Sequence, residues 1–315
     1  MPLFQRRILT PYEQYLQFSL SSLRPCINRN NTPCSHSNCN HTCIQNGYCI
    51  ECLNDILTND NSRISRLRNY SCDNITYSYV LRYLNRYASE IYKLFIKTKF
   101  IYQPVINMIS LGCGPATELI GFEAIYHQVN PTGMLNYLGF DTNNIWNNCQ
   151  NALVNIFNSN SYVTCQFPNQ ILLPDNPIIH KTNLFVLNYV LSHIHKHVDS
   201  DDIYFRNKAV TDFLDNVVSP IFDGLPSNSI LLINDTNSYY LGRNQIEYWA
   251  RNQSQKASSL VMGIYPNQSK PFAKFNHTNT IMNDVSLIFQ KNSPYDKFQI
   301  SIDSCGSAFV LIKKR

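Results

Sequence analysis

Two hydrophobic periods alternate along most of this chain. From Val105 onward, short apolar runs of strand length are separated by segments whose apolar residues recur every three or four positions. The runs are Val105–Leu111, Leu135–Phe140, Tyr162–Cys165, Leu184–Tyr189 and Ser229–Ile233. The segments with helical spacing are Ala116–His127, Ile145–Phe157, Ala209–Phe222 and Gln245–Leu260. Such alternation predicts parallel strands joined by crossover helices. Leu184–Tyr189 is almost continuously apolar, as a strand covered on both faces should be. Val285–Phe289 and Phe309–Lys313 read as the last two strands, an antiparallel pair closing the sheet. The expected class is α/β: a doubly wound, mostly parallel seven-stranded sheet with an antiparallel last strand.

Ahead of the alternation, Ile75–Phe100 has a strong helical period through Tyr79, Val80, Tyr83, Leu84, Tyr87, Ile91, Leu94 and Phe95. Its other face carries Arg82, Arg86, Lys93, Lys97 and Lys99, a solvated face or a contact for phosphates. Residues 10–24 predict a short amphipathic helix, ended at Arg24-Pro25 because a residue before proline leaves the helical region. Leu53–Leu67 fits a helix or a linker.

Most of the 11 cysteines lie before residue 75. Cys34, Cys39, Cys43, Cys49 and Cys52 are interleaved with His36 and His41, and Cys49-x-x-Cys52 is a chelating hairpin spacing. Thiolates and imidazoles at such spacing select tetrahedral Zn²⁺. Histidine adds nothing to a disulfide framework, so metal is expected over disulfides or free thiols. Cys39, Cys43, Cys49 and Cys52 are the first-choice ligands, with Cys34, His36 and His41 as substitutes or a second site. The site would be structural, since so few residues bury little core unaided. This divides the chain into a small Cys/His-rich, partly helical region at 1–74 and a main domain at 75–315.

The chemistry-bearing pattern is Leu111-Gly112-Cys113-Gly114-Pro115 at the end of the first strand, followed about twenty residues later by Tyr137-Leu138-Gly139-Phe140-Asp141. Glycines at a strand-to-helix turn let backbone approach a ligand, and an acid at the next strand end can accept from ribose hydroxyls. The third glycine of a dinucleotide fingerprint is replaced by Thr117, and Glu118 beside the turn would repel a diphosphate. A ribose-bearing ligand without phosphate suits the pattern better than a nicotinamide dinucleotide.

These two stretches resemble motifs I and II of the class I S-adenosylmethionine (SAM) dependent methyltransferases. The resemblance covers roughly the last two thirds of the chain. It implies that Gly112, Cys113, Gly114 and Glu118 border the methionine part of SAM. Asp141 would take the ribose, with Thr142 and Trp146 beside the adenosine. It also implies that substrate-facing residues follow the fourth strand. There the chain reads Asn188-Tyr189-Val190-Leu191-Ser192-His193, without the prolines of methyltransferases acting on exocyclic amines or glutamine. Asn188, Tyr189 and His193 are the catalytic candidates. His193 is the expected base because histidine titrates near neutrality. His195 and His197 read as surface residues, and Cys113 as a space-filling residue rather than a nucleophile.

Composition narrows the partners only a little. Lys and Arg exceed Asp and Glu by 26 to 21, and aromatics make up 12% of the chain. This permits an anionic, stackable acceptor, so RNA is the first expectation, ahead of a protein or small molecule. No run reaches a membrane span and no apolar signal core follows Met1, so an intracellular, cytoplasmic setting is expected, without membrane association. The oligomeric state is not legible. The competing reading is a non-catalytic adaptor: a degenerate methyltransferase core with a zinc-bound, partner-binding head.

Overall fold

The computed structural model describes residues 9–23, 73–96, 99–168, 170–236, 243–256, 259–262, 273–274, 286–298 and 307–315. The expected zinc ligands Cys39, Cys43, Cys49 and Cys52, with Cys34, His36 and His41, lie outside them. Among the described residues no group of three or more His, Cys, Asp or Glu could hold a metal ion, and zinc gains no support there. The described cysteines Cys113, Cys149 and Cys165 are free and buried.

In chain order the elements are α1 (Pro11–Ser22), α2 (Asp73–Phe95), β1 (Val105–Leu111), α3 (Thr117–Val129), β2 (Met134–Phe140), α4 (Asn147–Phe157), β3 (Val163–Gln166) and β4 (Leu184–Asn188). There follow α5 (Leu191–His197), α6 (Ile203–Phe213), α7 (Ser219–Gly224), β5 (Ile230–Asp235), α8 (Arg243–Ser254), β6 (Ser259–Met262), β7 (Ala273–Lys274) and β8 (Ala308–Lys314). One sheet runs β3-β2-β1-β4-β5-β8-β6, with β7 also on β8. β3, β2, β1, β4 and β5 are mutually parallel, and β8 runs antiparallel to β5, β6 and β7. The chain winds outward from β1 through β2 to β3, then restarts at β4 on the other side of β1. The carboxyl ends of β1 and β4 therefore flank the switch point, where such sheets open a crevice.

Strand residues alternate between two cores, because successive side chains leave opposite faces. Leu184 and Val186 of β4, Leu232 of β5 and Leu311 of β8 join α1 to α4 on one face. Phe185 and Leu187, with Leu231, Ile233 and Val310, join α5 to α8 on the other. Each such fully buried Leu, Val or Phe contributes roughly 1.5–3 kcal/mol relative to exposure. α1 begins with a capping box, Thr10 to the Glu13 amide and Glu13 back to Thr10, and buries Tyr12, Tyr15 and Leu16 in the first core.

The structure departs from the expected elements in four places. The predicted helix Ala209–Phe222 is interrupted by a π turn at Leu214–Val218, just ahead of Pro220, which has no N–H to continue the ladder. The predicted helix Gln245–Leu260 stops at Ser254, and Ser259–Met262 is strand β6. Val285–Phe289 was expected as a strand, yet Ser286–Gln290 contains none. The amides of Ile288 and Phe289 donate instead to the Ser89 hydroxyl of α2, at 2.9 and 3.1 Å. The strand count among the described residues is therefore eight, with β6 taking the edge place. Finally, the basic face of α2 is not simply solvated: Arg82 and Arg86 are half-buried and Lys93 is buried. Lys93 reaches Ser286, and Lys291 donates to the Arg82 carbonyl at 2.8 Å. No helix among the described residues is long and apolar enough to cross a membrane.

Candidate active site

The turn after β1 is shaped by three left-handed residues, Gly112 (φ 64°), Gly114 (φ 49°) and Ala116 (φ 51°). The amides of Gly112 and Cys113 both donate to the carbonyl of Phe140, the last residue of β2, at 2.7 and 3.2 Å. The turn is thereby tied to the strand whose next residue is Asp141. That carboxylate returns the contact: Oδ2 accepts the Gly114 amide at 2.8 Å, and Oδ1 accepts the Asn143 amide at 2.8 Å. Burial raises the Asp141 pKa, and the two amide donors oppose the rise.

Two further groups, which sequence reasoning missed, hold the turn from behind. The buried Gln150 of α4 donates to the Gly114 carbonyl at 3.0 Å, and Tyr15 of α1 donates to the Pro115 carbonyl at 2.9 Å. Both sit inside helical periods that gave no sign of a long-range partner.

In front of the turn lies a cleft of about 310 Å³. Its floor and walls bring together Gly112, Cys113, Gly114, Asp141 and Thr142 from the β1 and β2 ends, and Asn188, Tyr189 and His193 from the β4 end. Trp146 also lines it, packed 3.5 Å from where a Gly114 side chain would begin. Gln170 and Ile171, in the loop after β3, form part of the rim, as do Tyr79 of α2 and Phe213 of α6. Only the position of Gln170 and Ile171, just past a parallel strand end, could have signalled them.

Glu118 is the expected cofactor-binding residue that the cleft leaves out. It is 1% exposed and faces the sheet, where its Oε1 accepts the Tyr137 hydroxyl at 2.7 Å. Helix α3 begins at Thr117, so the next side chain turns into the core rather than along the cleft. Burial raises its pKa, opposed by hydrogen bonds that include Ser110, Tyr137 and Asn188. Cys113 does line the cleft, but burial, then Glu118 and Asp141, push its thiol pKa well up and keep it protonated.

At the other wall, Asn188 and Asn234 are register partners at the ends of β4 and β5. Asn234 Nδ2 donates to Asn188 Oδ1 at 2.8 Å, and Asn188 Nδ2 reaches Thr117 Oγ1 at 3.4 Å. Tyr189 has a left-handed backbone (φ 60°), and its amide donates to the Asn234 carbonyl at 2.8 Å. Its ring stacks on Tyr87 of α2 with centroids 4.0 Å apart, and its hydroxyl donates to Glu90 Oε2 at 2.9 Å. Burial raises the Tyr189 pKa well up, so it stays a phenol.

The three histidines of α5 do not converge. His193 and His197 share a face, with ring centroids 4.1 Å apart. His195, expected at the surface, is 1% exposed and its Nε2 meets Asn207 at 3.1 Å. Residues two apart on a helix face different ways, which sends His195 into the core. Desolvation in the cleft, then His197 and Lys196, lower the His193 pKa. His193 still faces solvent at the cleft mouth, which limits the fall. The α5 start is held by the buried Asp235, whose Oδ2 accepts the Leu191 and Ser192 amides at 2.8 and 3.1 Å.

No protein-family model matches the chain, and no curated protein matches it in sequence. Solved structures with a similar fold include NSun6 of Pyrococcus horikoshii with SFG, at 8% identity, TM-score 0.41, 74% of this chain and 52% of that one. A methyltransferase homologue of Pyrococcus horikoshii matches at 10% identity, TM-score 0.41, over 70% of this chain and 66% of that one. TrmK of M. capricolum, solved with its cofactor product S-adenosylhomocysteine (SAH), matches at 11% identity, TM-score 0.37, over 72% and 67%. The chain thus spans about half the length of NSun6, and the likeness is distant, one of fold.

Proposed function

We propose that the cleft binds SAM and that the chain is a SAM-dependent methyltransferase. The observation that carries this reading is the closure of Asp141 on Gly114, 2.8 Å apart, at the foot of a cleft floored by left-handed glycines. A side chain at Gly112 would begin 2.9 Å from Val190 Cγ2, so the turn backbone packs closely against Val190 there. Gly112 and Gly114 would lie against the methionine part. Each Asp141 oxygen accepts one backbone amide and keeps lone-pair capacity for ribose hydroxyls. Trp146 and Ile171 offer apolar walls for the adenine. When bound, SAM supplies an electrophilic methyl group on a sulfonium.

The chain's own residues then align and deprotonate the acceptor. His193, with its pKa lowered, is neutral at pH 7 and can take a proton. Asn188 and Tyr189 border the place an acceptor would occupy. We favour RNA as the acceptor. Tyr79 and Tyr189 are partly exposed aromatic faces in the cleft wall, the kind of surface an unstacked base packs on. A zinc site on Cys39, Cys43, Cys49 and Cys52 remains part of this proposal, as a structural element of the head.

Calorimetric titration of SAM into the full chain and into Asp141→Ala tests the reading. Saturable heat from the wild type, lost in the variant, is expected. No heat from the wild type would favour the adaptor instead. Labelled SAM with fractionated cell extract then asks whether label enters RNA, protein or small molecules.

A further inference from the structure

One buried acid beside the cleft takes no part in holding ribose or the turn. Glu90 of α2 is 1% exposed, and its two oxygens have different neighbours. Oε1 pairs with Arg86 Nε at 3.2 Å. Oε2 accepts the Tyr189 hydroxyl at 2.9 Å and Asn234 Nδ2 at 3.2 Å; Tyr189 lines the cleft and Asn234 is buried at the end of β5. The pair is also unequal in its solvent: the Arg86 side chain keeps 26% exposure and the Glu90 side chain 2%. Glu90 touches Tyr189 directly and acts on that phenol ahead of the opposing Arg86 guanidinium, so the Tyr189 side of the pair is net negative. Tyr189 is the link, since it lines the cleft and its hydrogen bond to the Glu90 carboxylate makes the phenol ring more electron-rich.

SAM and SAH share adenosine and amino acid. They differ in one methyl group and one charge, the sulfonium against a neutral thioether. A negative wall therefore distinguishes them where shape barely does. We propose that Glu90, acting through the Tyr189 hydroxyl, gives this cleft its preference for the charged donor over the neutral product. Glu90 is then a positioning and selectivity residue, and the inference rests on the reading of the cleft as a SAM site. Asp141 also faces the ligand, but it meets the ribose common to both.

Calorimetric titration of SAM and, separately, of SAH into wild type, Glu90→Gln and Glu90→Asp tests this. Glu90→Gln keeps shape and removes charge: SAM should weaken about tenfold, roughly 1.4 kcal/mol, while SAH stays within about twofold. Glu90→Asp keeps the charge and should keep the wild-type ratio of the two affinities. Equal weakening of both ligands in Glu90→Gln, or of neither, overturns the proposal. Should Glu90→Gln fail to fold, Tyr189→Phe carries the test, because it cuts the hydroxyl link and keeps the stacked ring. Its SAM to SAH ratio should fall at least about threefold, and an unchanged ratio overturns the proposal. A wild type that binds neither ligand brings down the SAM-site reading itself.

Discussion

The Asp141 carboxylate accepts the Gly114 amide at 2.8 Å, across 27 residues of sequence. The glycine turn after one strand is thus locked to the acid that ends the next. Together with the Gly112 and Cys113 amides on the Phe140 carbonyl, this bond fixes the spacing between the β1 turn and the β2 end of the cleft.

Removing that acid should be felt twice. Asp141→Ala leaves the Gly114 and Asn143 amides without their acceptor, and each partly buried loss costs about 1–3 kcal/mol. Thermal melting should show the loss before any ligand is added, and SAM binding should fall below detection. Asp141→Asn retains one acceptor oxygen and should be intermediate in stability. Wild-type stability in Asp141→Ala would mean that the contact does not form in solution.

The two glycines of the turn should respond differently to alanine. Both have positive φ, which costs an L-residue roughly 1 kcal/mol. At Gly114 the new methyl meets Trp146 at an ordinary 3.5 Å, whereas at Gly112 it meets Val190 Cγ2 at 2.9 Å. Gly112→Ala should therefore be the more damaging to stability and to SAM affinity. Adding Val190→Ala should recover part of the loss, and denaturant melts of the single and double variants would reveal the coupling. Independent, additive effects would sink the packing argument.

Gly121 tests the packing of α2 on α3 with an inverted sign. Alanine in place of a helical glycine usually stabilises by about 1 kcal/mol. Here the added methyl would stand 2.3 Å from the Ala88 carbonyl oxygen, which is helix backbone and cannot rotate away. Gly121→Ala should destabilise by more than about 2 kcal/mol, since the two helices must separate. Circular dichroism melts check it, and a gain in stability would show the helices are farther apart.

Strands and site were unequally legible, for physical reasons. β1 and β4 announced themselves because strands buried on both faces must be apolar throughout. Gly112, Gly114 and Asp141 did so because a tight turn and a strand-end acid are local requirements. Glu118 misled: adjacency to the turn is visible in sequence, but the direction of the first α3 side chains is set by packing. Tyr15, Gln150 and Glu90 escaped notice because their partners lie 100, 36 and 99 residues away. The Val285–Phe289 run has strand composition, yet a serine on α2 captured the amides that a ladder would need.

Asp235 should make stability depend on pH in a direction opposite to most carboxylates. Burial raises its pKa from 3.8 to about 6, and the Ser192, Thr236 and Leu191 donors offset only part of that. Between those values the native protein holds a proton that the unfolded chain has released. Stability contributed at this site therefore falls as pH rises from about 4 to about 6, by up to about 3 kcal/mol at about 1.4 kcal/mol per pH unit. Asp235→Asn cannot titrate, so its stability relative to wild type should climb over that window and level off above it. Urea melts of both proteins from about pH 4 to pH 7.5 measure the difference directly. A difference that stays flat across the window would mean that Asp235 is solvated, and that the start of α5 (with His193 two residues along) is open to water.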